Sequence, residues 1–313
     1  MAGTSEIKER MEGVRETKKI TDAMYMISSA KMRRALQELE KTTPYFHTLG
    51  EKIGEVFYHL PSLKNRYFHV EASYGAAHKT HGVLLITADK GLAGAYNQEA
   101  VQLCMKYRKK HPQTKIFIVG EYGRQYFLNK NIPFEEKFYY MGVHPQLSHA
   151  REICADLLSY YDEELLDDIN IIYTDYIGTK PGECKLVKLL PLELTKFHSP
   201  SPLFSPPDLK EFIPNPTEVL EGIIPSYLTG FIYGCLVESF CSEQQARMNA
   251  MKNAGENAEE MLDQLKLQYN KIRQSSITNE MIEITAGVRA LKRRRKQNAG
   301  ENNERPKSED QYR

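Results

Sequence analysis

The sequence predicts an α/β protein: a long antiparallel coiled coil of the N- and C-terminal helices, with one small α/β domain inserted between them. Three observations carry this. The first 60 residues and the last third of the chain each place apolar or small residues at alternating spacings of four and three, the pattern of a coiled-coil seam. Between them, strand-like and helix-like stretches alternate. The last helical stretch, about 80 residues or ~120 Å, is too long to be enclosed by an inserted domain whose radius of gyration is only ~14 Å.

The N-terminal helix is read over 1–60. Its seam is Ile7, Met11, Val14, Lys18, Thr21, Tyr25, Ser28, Met32, Ala35 and Leu39, and a flanking stripe of Ile20, Met24, Ile27 and Lys31 widens the face. The seam's middle is polar and small. Pro44 is expected to kink or break the helix, since it lacks an N–H and its ring crowds the preceding turn. Pro61 is expected to end it.

The central domain is read over 61–198. A loop rich in His, Tyr, Ser and Gly covers 62–80. Strands are expected at "GVLLITA" (82–88), "TKIFIV" (114–119), "KFYYMG" (137–142), "INIIYTDY" (169–176) and "CKLVKLLPLEL" (184–194). Helices are expected at 97–110, 121–130 and 146–166. The alternation implies a mainly parallel, Rossmann-like sheet. A linker follows at 199–216; "HSPSPLFSPPDLKEFIPNP" holds six prolines in 19 residues, too stiff and donor-poor for regular structure.

The C-terminal helix is read over 217–296. Asn215 is placed to cap it, Pro216 suits its first position, and Glu218 stands where a capping box requires it. Pro225 is early enough to kink rather than stop the helix. Apolar pairs at 219/220, 223/224, 227/228, 231/232 and 235/236 drift round the helix, so this part touches more than one neighbour. Beyond them Met251, Gly255, Ala258, Leu262, Leu265, Tyr269, Ile272 and Ser276 form a second seam. If residue 61 lies beside 217, residue 1 lies beside about residue 277, and the C-terminal helix outruns its partner. A polar collar, Arg273 to Ser276, marks that point. A further stripe follows it: Ile277, Met281, Ile284, Val288 and Leu291. A different protein is expected to bury this tip, and the collar's fixed donors suit carboxylates on that partner. Residues 297–313 are expected to be a disordered tail.

Composition limits the partners. The 313 residues carry a net charge of +1, so no global field recruits nucleic acid or membrane. No apolar run is read as long enough to span a bilayer, and "MAGTSEIKERME" lacks the apolar middle of a signal peptide. Five cysteines, Cys104, Cys154, Cys184, Cys235 and Cys241, form no CxxC pair, which suits a reducing compartment and argues against a disulfide frame or zinc site.

Three stretches carry a resemblance. "EIKERMEGVRETKKITDAMYMISSAKMRRA" (6–35) resembles the N-terminal helix of the γ subunit of F-type ATP synthases. "TADKGLAGAYN" (87–97) resembles the first strand–loop–helix of that subunit's central domain. "SEQQARMNAMKNAGENAEEMLDQLKLQYNKIRQSSITNEMIEITAG" (242–287) is similar to its C-terminal helix. They lie in order at both ends and in the middle, so the resemblance extends over nearly the whole chain, and the terminal motifs are the more specific. The resemblance implies a rotor shaft standing inside a ring of three α and three β subunits. It implies a foot that binds the ε subunit and the membrane ring of small c subunits. The shaft transmits torque and supplies asymmetry for ATP synthesis and hydrolysis. Chemistry belongs to β, so the resemblance implies no catalytic residue, cofactor or metal here. It places the complex on the cytoplasmic face of the cell membrane. By matching positions, Arg273, Gln274 and Thr278 correspond to contacts with a loop of β, Glu243 and Arg247 to a second contact cluster, and Met24 to a coupling-sensitive position. Two stretches depart from the family pattern: the proline-rich 199–216 and "KRRRKQNAGENNERPKSEDQYR", which follows the position where members often end.

Other readings of the residues are weighed beside this one. "GLAGAYN" lacks the spacing of a phosphate loop and reads as a tight strand–helix turn. His78 and His81 have ligand-like spacing but no further ligands nearby in sequence. "DEELLDD" (162–168) and "KRRRK" (292–296) read as solvated helix ends rather than metal or phosphate sites. A Rossmann-like nucleotide-binding enzyme would leave the two heptad helices idle. A coiled-coil scaffold or nucleic-acid adaptor would leave the inserted domain unexplained.

Overall fold

The structure is a computed structural model that describes residues 2–60, 63, 65–68, 80–142, 144–178, 182–197 and 212–301. Pro61 as a helix stop, His78 and most of the 62–80 loop, most of the 199–216 linker and the tail from 302 lie outside the described residues. The elements run α1 (Ala2–His59), β1 (His81–Ile86), α2 (Tyr96–Lys110), β2 (Thr114–Val119), α3 (Glu121–Asn129), α4 (Leu147–Asp162), β3 (Asp168–Thr174), β4 (Cys184–Leu190) and α5 (Pro216–Glu301), with a single 3-10 turn at Leu194–Lys196 before α5.

The chain forms two compact units. One comprises Met1–Thr21 and Asn253–Arg313, the other Asp22–Lys252, so both divisions fall inside α1 and α5. In the first unit the seams interlock as a coiled coil. Gly255, Ala258, Leu262 and Leu265 of α5 are buried, and Ile7, Met11, Val14 and Lys18 of α1 are half-buried. Small residues at the seam let two backbones approach closely. Lys18 Nζ reaches Glu259 Oε2 at 2.9 Å across it.

The second unit is built on a four-stranded sheet of order β2-β1-β3-β4. β1 pairs in parallel with β2 and β3, and β4 runs antiparallel to β3. β1 reads as an unbroken apolar run because both its faces are covered. Val83 and Leu85 pack with Val101, Cys104 and Phe127 on one side. Leu84 and Ile86 face the larger core on the other, with Ile153 and Leu157 of α4, Ile53 and Val56 of α1, and Leu220, Ile224, Leu228 and Ile232 of α5. That stripe of α5 explains a correction. α5 is long and apolar enough in composition to cross a membrane, contrary to the expectation. Those four side chains are nevertheless fully buried in the protein's own core.

Three further expectations are corrected. Residues 137–142 are not a strand; they touch the edge of β2 through one bridge, Val119 to Tyr140. The segment is held instead by single hydrogen bonds to separate places: the Gly120 N–H donates to Tyr140 O at 2.9 Å, and the Gly142 N–H donates to Asp89 Oδ1 at 2.9 Å. Pro44 does not break α1, which runs through it without interruption. Pro44 and Glu40 are both exposed, so the carbonyl that loses its donor is free to meet water. α5 continues to Glu301, into the stretch expected to be disordered. Gln297, Ala299 and Glu301 are good helix formers, and Gly300 costs only ~1 kcal/mol.

The start of α5 follows the expected chemistry. The Glu218 N–H donates to Asn215 Oδ1 at 2.9 Å, and Asn215 Nδ2 donates to Glu218 Oε1 at 2.5 Å. Asn215→Ala leaves an unpaired N–H at the helix start. The expected loss is about 1 kcal/mol in denaturant unfolding of the full chain.

Candidate partner-contact site

The polar part of α5 enters the place where open α/β sheets bind ligands: the crevice beyond the carboxyl ends of the parallel strands, where successive connections leave in opposite directions. The loop after β1 is tied down first. Thr87 Oγ1 donates to Val119 O at 2.9 Å and accepts from the Gly123 N–H at 3.1 Å. Asn97 Oδ1 accepts from the Ala88 N–H at 2.9 Å, and Asp89 Oδ1 accepts from the N–H groups of Glu121 and Gly142. Gly120 leaves β2 at φ +96, and its α-carbon lies so close to the Thr87 carbonyl that a side chain there would overlap it.

Into this crevice α5 places Ser239, Glu243 and Arg247. Ser239 Oγ accepts from the Thr174 N–H at 3.1 Å. Arg247 forms an ion pair with Glu243 at 2.5 Å and donates to the carbonyls of Gly91 at 3.1 Å and Lys90 at 3.4 Å. Both partners are buried. Burial pushes the Glu243 carboxyl up, the Arg247 guanidinium pulls it back, and Asp89 adds a further upward push. The space left is water-sized, about 10 Å³, and Thr87, Tyr96 and Glu243 are among the residues that line it. Loop carbonyls therefore face a guanidinium, the opposite polarity from a phosphate cradle of N–H donors.

The other candidate residues are arranged differently. Met24 is half-buried on α1, between the exposed Ile20 and Ile27 of its stripe. Arg273, Gln274 and Thr278 are exposed, and the Thr278 hydroxyl donates to Gln274 O at 2.9 Å within the helix. The tip residues Ile277, Met281, Ile284, Val288 and Leu291 are all exposed, by 47% to 67%. Of the six polar or coupling positions, the structure joins Glu243 to Arg247 side chain to side chain, and Thr278 to Gln274 through the main-chain carbonyl.

Sequence reading missed the loop carbonyls and Ser239. The signal was present as the polar run "ESFCSEQQAR" (238–247) inside an apolar helix, in which Ser239, Ser242 and Gln244 are buried. Elsewhere, His81 pairs with Asp168 at 2.7 Å and Asp162 with Arg66 at 3.4 Å. Asp167 accepts from the Thr80 N–H. No group among the described residues is arranged to hold a metal ion, and all five cysteines are free thiols.

The profile of the family described as ATP synthase matches residues 3–291. The ATP synthase gamma chain of Acetivibrio thermocellus is 36% identical over 297 residues, covering 93% of this chain and 100% of that one. The sodium ion specific ATP synthase gamma chain of Acetobacterium woodii is 31% identical over 300 residues, covering 91% and 98%. Among solved structures, a chain of the Euglena gracilis mitochondrial ATP synthase OSCP/F1/c-ring assembly aligns over 99% of both chains with a TM-score of 0.60 at 16% identity. A chain of the Tetrahymena thermophila central stalk and c-ring aligns over 75% of this chain and 99% of that one, with a TM-score of 0.55 at 22% identity. At those identities the solved structures speak to fold alone. The sequence relatives match end to end, and on that ground the chain belongs to the ATP synthase gamma chain family.

Proposed function

We propose that the protein is the central-stalk rotor subunit of an ATP synthase, a non-catalytic chain that carries torque between an ion-driven membrane ring and catalytic sites on other chains. The observation that carries this reading is the exposed tip of α5. Ile277, Met281, Ile284, Val288 and Leu291 keep the spacing of a seam beyond Leu265, the last fully buried seam position, yet are exposed in the isolated chain. Apolar side chains in register ask for a sleeve, and a sleeve of three α and three β subunits supplies one. Burial there contributes ~25 cal/mol per Å² without a deep knob to lock one angle.

In this reading Arg273 and Gln274 meet a loop of β, as does Thr278 one turn on. Glu243 and Arg247 face inward, so they act on a partner through the loop they hold at Lys90 and Gly91. The sheet-bearing unit meets the ε subunit and the ring of c subunits, on the cytoplasmic face of the membrane. The domain scheme is a shaft of 1–60 and 217–296 around a foot of 61–198.

The test is assembly. Full-length chain mixed with α and β subunits is expected to co-purify with them. Val288→Asp is expected to weaken that association about tenfold, since one buried unpaired carboxylate costs more than 1.4 kcal/mol. Unfolding of the isolated variant is expected to match the wild type, because residue 288 is already in water. Undiminished assembly would show that the tip meets no apolar wall. A nucleotide-binding enzyme would instead bind ATP or NAD as a single chain.

A further inference from the structure

Within the sheet-bearing unit, α1 and α5 do not pack as a seam over their whole course. Beside Phe46 and Gly50 of α1 they leave a groove of about 550 Å³, which Tyr173 and Phe197 also line. The local sequence opens it. Phe46 lays its ring on Gly230, where a side chain would overlap it, and Tyr227 packs against Gly50. One turn on, Gly234 meets nothing within 4 Å of where a Cβ would stand. Aromatic rings prop the helices apart, and a missing side chain leaves the floor bare.

The lining has a definite chemistry. Rings of Phe46, Phe197, Tyr227 and Phe231 supply apolar faces, and Tyr227 and Phe197 lie 5.1 Å apart between centroids. Glu238 and Glu51 supply carboxyl groups, and among the described residues no lysine or arginine lines the groove. His47, which lies 3.5 Å from Glu51, completes the polar end. Lys185, a cation that acts on Glu238, is committed to an ion pair with Asp175. Burial in this setting pushes the Glu238 carboxyl up, Asp175 adds to it, and Lys185 only partly offsets them. A cation with an apolar body would supply the charge that the carboxyl lacks. It would also meet the negative faces of the aromatic rings, in a space of the size that small-molecule sites occupy.

We propose that this groove is a binding site for a hydrophobic organic cation, its charge beside Glu238 and its apolar body over Gly234 against Phe46 and Phe231. The site is separate from the rotor reading and stands or falls without it. The test is calorimetric titration of the full chain with tetraphenylphosphonium, and with triphenylphosphine oxide as the neutral counterpart. The cation is expected to bind at least tenfold more tightly than the neutral compound. Glu238→Gln is expected to remove that preference. Gly234→Leu, which places a side chain in open space and so leaves folding intact, is expected to abolish binding of both. Equal affinity for the two compounds overturns the proposal, as does an undiminished preference in Glu238→Gln or full binding by Gly234→Leu. Matching thermal unfolding of each variant to the parent chain keeps these outcomes interpretable.

Discussion

Arg247→Ala is expected to destabilise the isolated chain by about 3–5 kcal/mol at neutral pH, the cost of leaving a buried charge without its partner. Glu243 stays among Tyr96, Ser239 and the β1 loop, and two loop carbonyls lose their donor. The pH dependence separates this cause from lost packing. Burial holds the folded-state pKa of Glu243 above its ordinary value, so the folded state binds its proton more tightly than the unfolded state does. Glu243 therefore lowers stability as pH rises from the ordinary carboxylate range through the raised value, and the loss is relieved as pH falls through the same window. Removing Arg247 takes away the larger downward pull on the carboxyl and leaves the smaller one from Lys31, so the window extends upward. Denaturant unfolding at several pH values is expected to show part of the loss recovered on acidification, and Glu243→Gln in the Arg247→Ala background is expected to flatten that slope. A loss that does not change with pH would mean that the charge of Glu243 plays no part in it.

Met24→Lys is expected to act on coupling rather than on folding. Met24 is only half-buried, so a lysine in its place can carry its ammonium out to water along its own stem. The isolated variant is expected to unfold within about 0.5 kcal/mol of the parent. Inside the proposed ring of partner chains the new charge would have a different consequence. Two unit charges 4 Å apart at a protein surface interact by ~4 kcal/mol, and on a turning shaft that term rises and falls with angle. Apolar contact with the proposed three-fold repeated walls would have a flatter profile. The expected result is that ATP hydrolysis persists while ion pumping per ATP falls at least about tenfold, with Met24→Leu unchanged. Equal loss in Met24→Lys and Met24→Leu would point to shape rather than charge at this position.

The contact of Arg247 with the loop after β1 was not legible in the sequence. The resemblance marked Glu243 and Arg247 as a second contact cluster; the fold sets Arg247 on the carbonyls of Lys90 and Gly91, 157 and 156 residues earlier. No local pattern encodes that pairing; it arises when the sheet places the end of β1 against α5. The Val119–Tyr140 bridge is of the same kind: "KFYYMG" has the composition of a strand, but it meets β2 at one bridge and its Gly142 N–H goes to Asp89 instead.

What local chemistry controls was legible from residues alone. Heptad spacing named the two terminal helices and their seams, since a buried stripe on a helix must recur near every 3.6 residues. Asn215 and Glu218 marked where α5 begins, because capping is a contact over three positions. Alternation of apolar runs with helical stretches named a mainly parallel sheet, and β2 was placed to the residue. Only the tertiary structure decided that α5 fills the crevice of its own sheet, that the apolar stretch of α5 belongs to a protein core, and that glycines leave a groove between α1 and α5. Each of these depends on which distant surfaces meet, and burial and desolvation are properties of that meeting rather than of any single stretch of chain.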